Sequence, residues 1–180
     1  IAQRALAGDD QAFEELVERY AQPIYSYARR FTRNNQDAED IAQETFLRLH
    51  KNLPKLKLSE PLKPWLYHVC TNLCRNLAKK KKSLLFSDLQ KDDDDTSLPD
   101  SIADNEPEHA TVHDTKAKRD IVKKAVEKLP EKYRVVVSLY YWEGLSYQEI
   151  ADALSLPVNT VRTHLKRAKQ QLERAIAHLI

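Results

Sequence analysis

Between Gly144 and Lys169 the chain reads GLSYQEIADALSLPVNTVRTHLKRAK, and that stretch admits few folds. Ser146 and Glu149 stand at capping-box spacing: the Ser146 hydroxyl accepts from the Glu149 backbone N–H, and the Glu149 carboxylate accepts from the Ser146 N–H. Gly144, just ahead, suits the left-handed end of a preceding helix. Ile150, Ala151 and Leu154 share one apolar face of a short helix. Ser155 and Leu156 make a turn, and Pro157, with its fixed φ and no N–H to satisfy, starts a second helix. Val158, Val161, Leu165, Ala168, Leu172 and Ile176 give that helix a three-four apolar stripe, which leaves Asn159, Arg162, Thr163, Lys166, Arg167 and Lys169 on its open sides. Two short helices on a tight turn, the second basic and hydrogen-bonding outside, predict a helix-turn-helix suited to a DNA major groove. An amphipathic surface helix with merely solvated Lys and Arg shares this pattern, so the rest of the chain must decide.

With 180 residues, 42% of them apolar, the chain can hold one domain or two small ones with real cores. Two glycines and eight prolines fit helices joined by short turns better than sheets. No apolar run is long enough to span a bilayer and no signal peptide is visible, so a soluble, cytoplasmic chain is expected. Because residue 1 is Ile, a short N-terminal piece is expected to be missing.

The net charge of +2 conceals a segregation. Residues 1–87 carry 15 basic and 10 acidic side chains, 88–115 carry 1 and 10, and 116–180 carry 13 and 7. Two basic blocks around an acidic connector suggest two surfaces for a polyanion and a connector that avoids it. Cys70 and Cys74 lie four apart on one helical face, poorly placed for an unstrained disulfide. His68 is near by, but no second ligand pair stands at zinc-like spacing, so small buried thiols are the better reading and no metal or cofactor is expected.

In chain order, Asp9 to Tyr20 reads as an acid-led amphipathic helix with Phe13, Leu16, Val17 and Tyr20 inward. Pro23 is expected to break or kink it before a second helix with Ile24, Tyr27, Ala28 and Phe31 inward, and Asn34-Asn35 reads as a turn. From Asp37 to Asn52, Ala38, Ile41, Ala42, Thr45 and Leu49 form an inner stripe. Asp40, Gln43, Glu44, Leu47 and Arg48 share the outside, a mixture that fits either a solvated acidic face or a grip on another protein. A Pro-bracketed loop leads into WLYHVCTNLCRNLAKKKK, where Trp65, Leu66, Val69, Cys70, Leu73 and Leu77 are expected inside. Tyr67, His68, Thr71, Asn72, Arg75 and Asn76 are expected outside, suited to single-stranded bases and phosphates. Lys79 to Lys82 favour a helix C-terminus and also attract phosphate, though a solubilising charge run reads the same way. From about Ser83 periodicity dissolves into a flexible acidic connector. Helical pattern returns near Thr115, with Ala117, Ile121, Val122, Ala125 and Leu129 inward. A helix from Pro130 then carries Tyr133, Val136, Val137, Leu139 and Tyr140 into a second core and ends at Gly144.

DAEDIAQETFLRL, PWLYHVCTNLCRN and LPEKYRVVVSLYYWEGLSYQEIADALSLPVNTVRTHLKRAKQQL, in that order around an acidic linker, resemble the sigma-two and sigma-four domains of bacterial extracytoplasmic-function sigma factors, the minimal group of the sigma-70 family. The resemblance implies an all-α fold of two small helical domains: a sigma-two-like domain at 1–83, a flexible acidic linker at 84–114, and a sigma-four-like helix-turn-helix domain at 115–180. It implies a protein, not an enzyme, that binds core RNA polymerase, directs it to promoters through the minus-35 and minus-10 elements, and helps open the DNA. By that likeness Asp40, Gln43, Glu44 and Leu47 would meet the beta-prime clamp helices, and the beta flap would be a further contact. Trp65, Tyr67, His68, Asn72, Arg75, Asn76, Lys79 and Lys80 would handle the minus-10 element, with Asn72 and the 55–63 loop framing a flipped base. Asn159, Thr160, Arg162, Thr163, His164, Lys166, Arg167 and Lys169 would meet the minus-35 element, although His164, at the edge of the apolar stripe, suits packing as well as a base contact. A controlling anti-sigma factor, often membrane-anchored, is a further implied partner.

Two other functions are weighed. A conventional regulator with TV-x-x-HL in its second DNA-binding helix fits TVRTHL, but residues 1–82 show no strand alternation and no phosphate-accepting aspartate cluster. An enzyme is disfavoured because no Gly-rich phosphate loop, nucleophile motif or metal-ligand spacing is present.

Overall fold

Side-chain caps and apolar stripes set the helices of this protein. The computed structural model describes residues 1–56, 61–89 and 121–177, and every regular element among them is helical. They are α1 (Ala2–Leu6), α2 (Asp10–Thr32), α3 (Asn35–Asn52), a 3-10 turn at Leu53–Lys55, α4 (Leu62–Leu89), α5 (121–127), α6 (Glu131–Val137), a π-helical turn at Ser138–Trp142, α7 (Tyr147–Leu154) and α8 (Val158–Ala177).

Asp9 starts α2 by accepting from the Ala12 N–H at 3.0 Å. That hydrogen bond, with Arg4 beside it, holds the Asp9 carboxyl below its ordinary value. The expected break at Pro23 does not occur: α2 is one helix from Asp10 to Thr32 with Pro23 inside it. A proline inside a helix costs about 3 kcal/mol. Here Leu16 before it and Ile24, Tyr27, Ala28 and Phe31 after it are all buried, and each large apolar side chain returns roughly 1.5–3 kcal/mol. Arg33, in the left-handed region at φ +58, ends α2. Asn34 then caps α3, its side-chain oxygen accepting from the Asp37 N–H at 2.9 Å. The α3 stripe of Ala38, Ile41, Ala42, Thr45 and Leu49 is buried as expected.

α4 is the central rod, packed by α2 and α3 on one side and by α7 on the other. Three neighbouring helices bury more of it than a single stripe predicts. Tyr67 and Thr71, expected outside, are fully buried. The Tyr27 and Thr71 hydroxyls lie 2.7 Å apart, and the Tyr27 and Tyr67 rings meet edge to face at 5.2 Å. Cys74 is buried as well, whereas Trp65, Val69, Leu73 and Leu77 are half-buried. α4 also runs to Leu89, past the expected start of the connector at 84. The remaining expectations for the connector, for residues 57–60 of the preceding loop and for Ala117 lie outside the described residues.

In the second half Ala125, Val126 and Leu129 are buried, but Val122, expected inside, is exposed, on the solvent side of α5. The helix expected from Pro130 to Gly144 widens after Val137 into the π turn, closed by the Glu143 N–H donating to the Ser138 carbonyl at 3.2 Å. Leu139 points in, while Tyr141 and Trp142 are left outside. Gly144 at φ +63 reverses the chain into α7. One apolar core is continuous from Leu16, Tyr27, Leu49 and Leu66 through to Leu139, Leu145, Ile150 and Val161. A smaller one joins Val126, Leu129, Tyr133, Val137 and Ala168.

Candidate nucleic-acid interface

The capping box that opens α7 is complete. The Ser146 Oγ accepts from the Glu149 N–H at 3.3 Å and the Glu149 carboxylate accepts from the Ser146 N–H at 2.8 Å. The backbone hydrogen bond, then the Ser146 hydroxyl, hold the Glu149 carboxyl below its ordinary value. Ile150, Ala151, Ala153 and Leu154 are buried. Ser155, at φ +53, makes the turn in the left-handed region. The Pro157 carbonyl accepts from the Thr160 and Val161 N–H groups at 2.9 and 3.2 Å, launching α8.

On α8 the stripe faces in, with Val161 and Ala168 fully buried. Asn159, Arg162, Thr163, Lys166, Arg167 and Lys169 are exposed and Thr160 is half-buried. The Thr163 hydroxyl is turned back onto the Asn159 carbonyl at 2.8 Å, and Arg162 leans over the Tyr147 ring at 5.9 Å while donating weakly to Asn159 Oδ1 at 3.4 Å. Lys169 has Glu173 at 3.9 Å. Among the described residues neither Lys166 nor Arg167 has a carboxylate partner, so the face keeps its positive charge. His164 is turned inward, edge-on to Tyr133 at 5.5 Å, with its Nδ1 buried and unpartnered. Burial, and then the charges of Lys132 and Arg167, push its pKa below the usual histidine value. Of the two roles open at the sequence level, this geometry is that of packing.

α4 presents a second basic strip. Asn76, Lys79 and Lys80 are exposed, and Trp65, His68, Asn72 and Arg75 are half-buried. Tyr67 is a correction: its ring is core and only its hydroxyl reaches an edge, where it donates to the Glu143 carboxylate. His68 is engaged by α7, and Asn72 by His68. The His68 Nδ1 lies 3.0 Å from the Ala153 carbonyl and the Asn72 Nδ2 lies 2.9 Å from His68 Nε2. Since the carbonyl can only accept, His68 donates from Nδ1, and the Asn72 amide donates to its Nε2. The two thiols are free and buried. A hydrogen bond with Cys70, and then burial, push the Cys74 thiol far up, away from any nucleophilic role.

The third surface is the outside of α3. Asp40, Gln43 and Leu47 are exposed, Leu47 at 55%, and Glu44 is half-buried, accepting from Arg48 at 2.8 Å. An apolar side chain left in water among amides and carboxylates suits a protein partner.

Sequence reasoning missed Glu143, whose carboxylate side chain is 7% exposed. It pairs with Arg30 of α2 and accepts from Tyr67 of α4, and its backbone carbonyl accepts from Lys63. The available signal was a lone acid in the aromatic run SLYYWEG. Among the described residues no three metal-ligating side chains converge, and no helix is long and apolar enough to cross a membrane.

These features define a two-part, all-helical DNA-binding protein with a separate exposed face on α3. The Sigma-70 region 2 model matches residues 16–84 and the Sigma-70, region 4 model matches residues 119–172. The chain is similar to the ECF RNA polymerase sigma factor SigW of Bacillus subtilis (strain 168), 34% identical over 175 residues that cover 96% of this chain and 92% of the relative. Its fold resembles two solved structures. One is the sigma factor RpoE in complex with the anti-sigma factor NepR from Bartonella quintana, with a TM-score of 0.76 at 18% identity, covering 93% of this chain and 98% of that one. The other is CnrH in complex with the cytosolic domain of CnrY, with a TM-score of 0.68 at 23% identity, covering 98% and 95%. The chain belongs to the extracytoplasmic-function sigma factors of the sigma-70 family. As such it directs RNA polymerase to promoters and is not itself an enzyme.

Proposed function

We propose that the three surfaces divide this work. The outside of α3, through Asp40, Gln43, Glu44 and Leu47, grips the beta-prime clamp helices of core polymerase. The α4 strip of Trp65, His68, Asn72, Arg75, Asn76, Lys79 and Lys80 takes the melted minus-10 strand, with phosphate attraction from the lysines offsetting the few kcal/mol that unstacking a base costs. On α8, Asn159, Thr160, Arg162, Thr163, Lys166, Arg167 and Lys169 meet the minus-35 element, the arginines reading base edges and the rest positioning phosphates. The acidic connector, net −9, keeps clear of DNA between them.

The observation that carries this reading is the row of exposed cations on α8, of which Lys166 and Arg167 have no carboxylate partner among the described residues, set behind a complete capping box. An anti-sigma factor is the expected controller, and both structural neighbours named above were solved with a partner bound. Run-off transcription with core polymerase on a promoter library tests the whole. Activity with preferences at both elements is expected, and a chain that neither comigrates with core polymerase nor initiates sinks the reading.

A further inference from the structure

Arg162 is steadied on the open side of α8 by an aromatic ring and not by an acid. Its guanidinium carbon lies 5.9 Å from the Tyr147 ring centroid, Nη1 donates weakly to Asn159 Oδ1 at 3.4 Å, and among the described residues no carboxylate pairs with it. The difference matters on a face that must meet an acceptor. A carboxylate would take the guanidinium N–H donors and cancel the charge, whereas a ring attracts the cation and leaves those donors unused.

Tyr147 is itself placed by two separate devices. As the first residue of α7 it follows Ser146 of the capping box, which fixes its backbone. Its ring is backed by Tyr140, with centroids 5.3 Å apart and planes inclined at 34°, and Tyr141 meets Tyr140 edge to face at 4.9 Å. The π turn at Ser138–Trp142, which fits an extra residue into its hydrogen-bonded loop, sets where Tyr140 stands. The Leu145 N–H then donates to the Leu139 carbonyl at 3.0 Å, folding the chain beyond Gly144 back beside that turn. Aromatic rings thus run from the π turn to α8 and end at Arg162.

We propose that Tyr147, backed by Tyr140, is a positioning residue that holds Arg162 in one reading pose, and that this bracket sharpens base choice at the upstream element. The gain in base choice rests on the base contact proposed above for Arg162, whereas the bracket does not. A free arginine gives up rotamer freedom when it meets a base edge and can swing to neighbouring acceptors. One already held loses less on binding and reaches fewer of them.

The test uses holoenzyme made from core polymerase and the full chain, selecting from a duplex library randomised across the upstream element. Arg162→Ala marks the position whose preference Arg162 sets. Tyr147→Leu keeps an apolar side chain and removes the ring, while Tyr147→Phe keeps the ring and removes the hydroxyl. Tyr147→Leu is expected to flatten preference at the marked position by about two- to fivefold, the worth of a cation on an exposed ring, with other positions and the salt dependence unchanged. Tyr147→Phe is expected to keep the wild-type profile. An unchanged profile in Tyr147→Leu overturns the proposal, as does a Tyr147→Phe profile that matches it. A uniform loss over all sequences, which a phosphate contact or a disturbed α7 would give, overturns it too. Nuclear magnetic relaxation at Arg162 Nε in the free chain is the second readout. Mobility there is expected to rise in Tyr147→Leu and in Tyr140→Leu, and unchanged mobility in both overturns the bracket. If Arg162→Ala marks no position, the base contact of Arg162 fails and the gain in base choice with it, while the mobility still decides the bracket.

Discussion

Three side chains on the helix-turn-helix separate recognition from packing. Arg162 and Arg167 project from α8 into solvent, so replacing either with Ala is expected to weaken binding at the upstream element by about 1–3 kcal/mol while affinity for core polymerase stays the same. Holoenzyme titrations on promoter fragments, beside core titrations, read the two quantities. His164 behaves differently. Its pKa is lowered in the folded state, so the unfolded chain binds more protons and stability rises with pH. The contribution is complete above the ordinary histidine value of 6.5 and is lost as pH falls below it toward the lower folded value. Urea titrations should show that loss in the wild type, and His164→Phe, which keeps a ring against Tyr133 but cannot titrate, should flatten it. Ser155 sits at φ +53 without being glycine. Ser155→Gly relieves a left-handed strain and is expected to add about 1 kcal/mol of stability, seen as a higher urea midpoint at unchanged slope.

Helix ends and helix faces differ in how far sequence alone reveals them. The start of α7 was legible because a capping box is local chemistry within four residues, and Ser146→Ala should cost about 1 kcal/mol in thermal unfolding. α3 was legible for the same reason, since one stripe meets one core. α4 was not, because a rod packed on two sides buries positions that no single stripe contains, and Tyr67 and Thr71 crossed from the expected outside to the core. Pro23 was misread because a local penalty was set against burial that only the tertiary fold supplies. The π turn has no periodic signature to read, and Glu143 has partners 113 and 76 positions away in the chain, beyond the reach of any motif.

At the scale of the molecule, the proposed polymerase face and the proposed DNA faces occupy different helices, α3 against α4 and α8, so they should fail separately. Gln43→Ala with Glu44→Ala is expected to abolish comigration with core polymerase in gel filtration while costing no more than about 1 kcal/mol of thermal stability, since Gln43 is exposed and Glu44 gives up a surface ion pair with Arg48. Equal losses of core binding from the α3 and α8 variants would mean that the surfaces had been exchanged or merged. One dimension of the fold sets what such a molecule can span. The described helices end at Leu89 and resume at residue 121, and 31 residues lie between them. Fully extended, at ~3.4 Å each, they reach about 105 Å. Elements roughly 25 base pairs apart lie about 85 Å apart along a duplex rising 3.4 Å per pair. By contour length alone, the 31 residues between the described helices are enough for α4 and α8 to stand on both proposed elements at once.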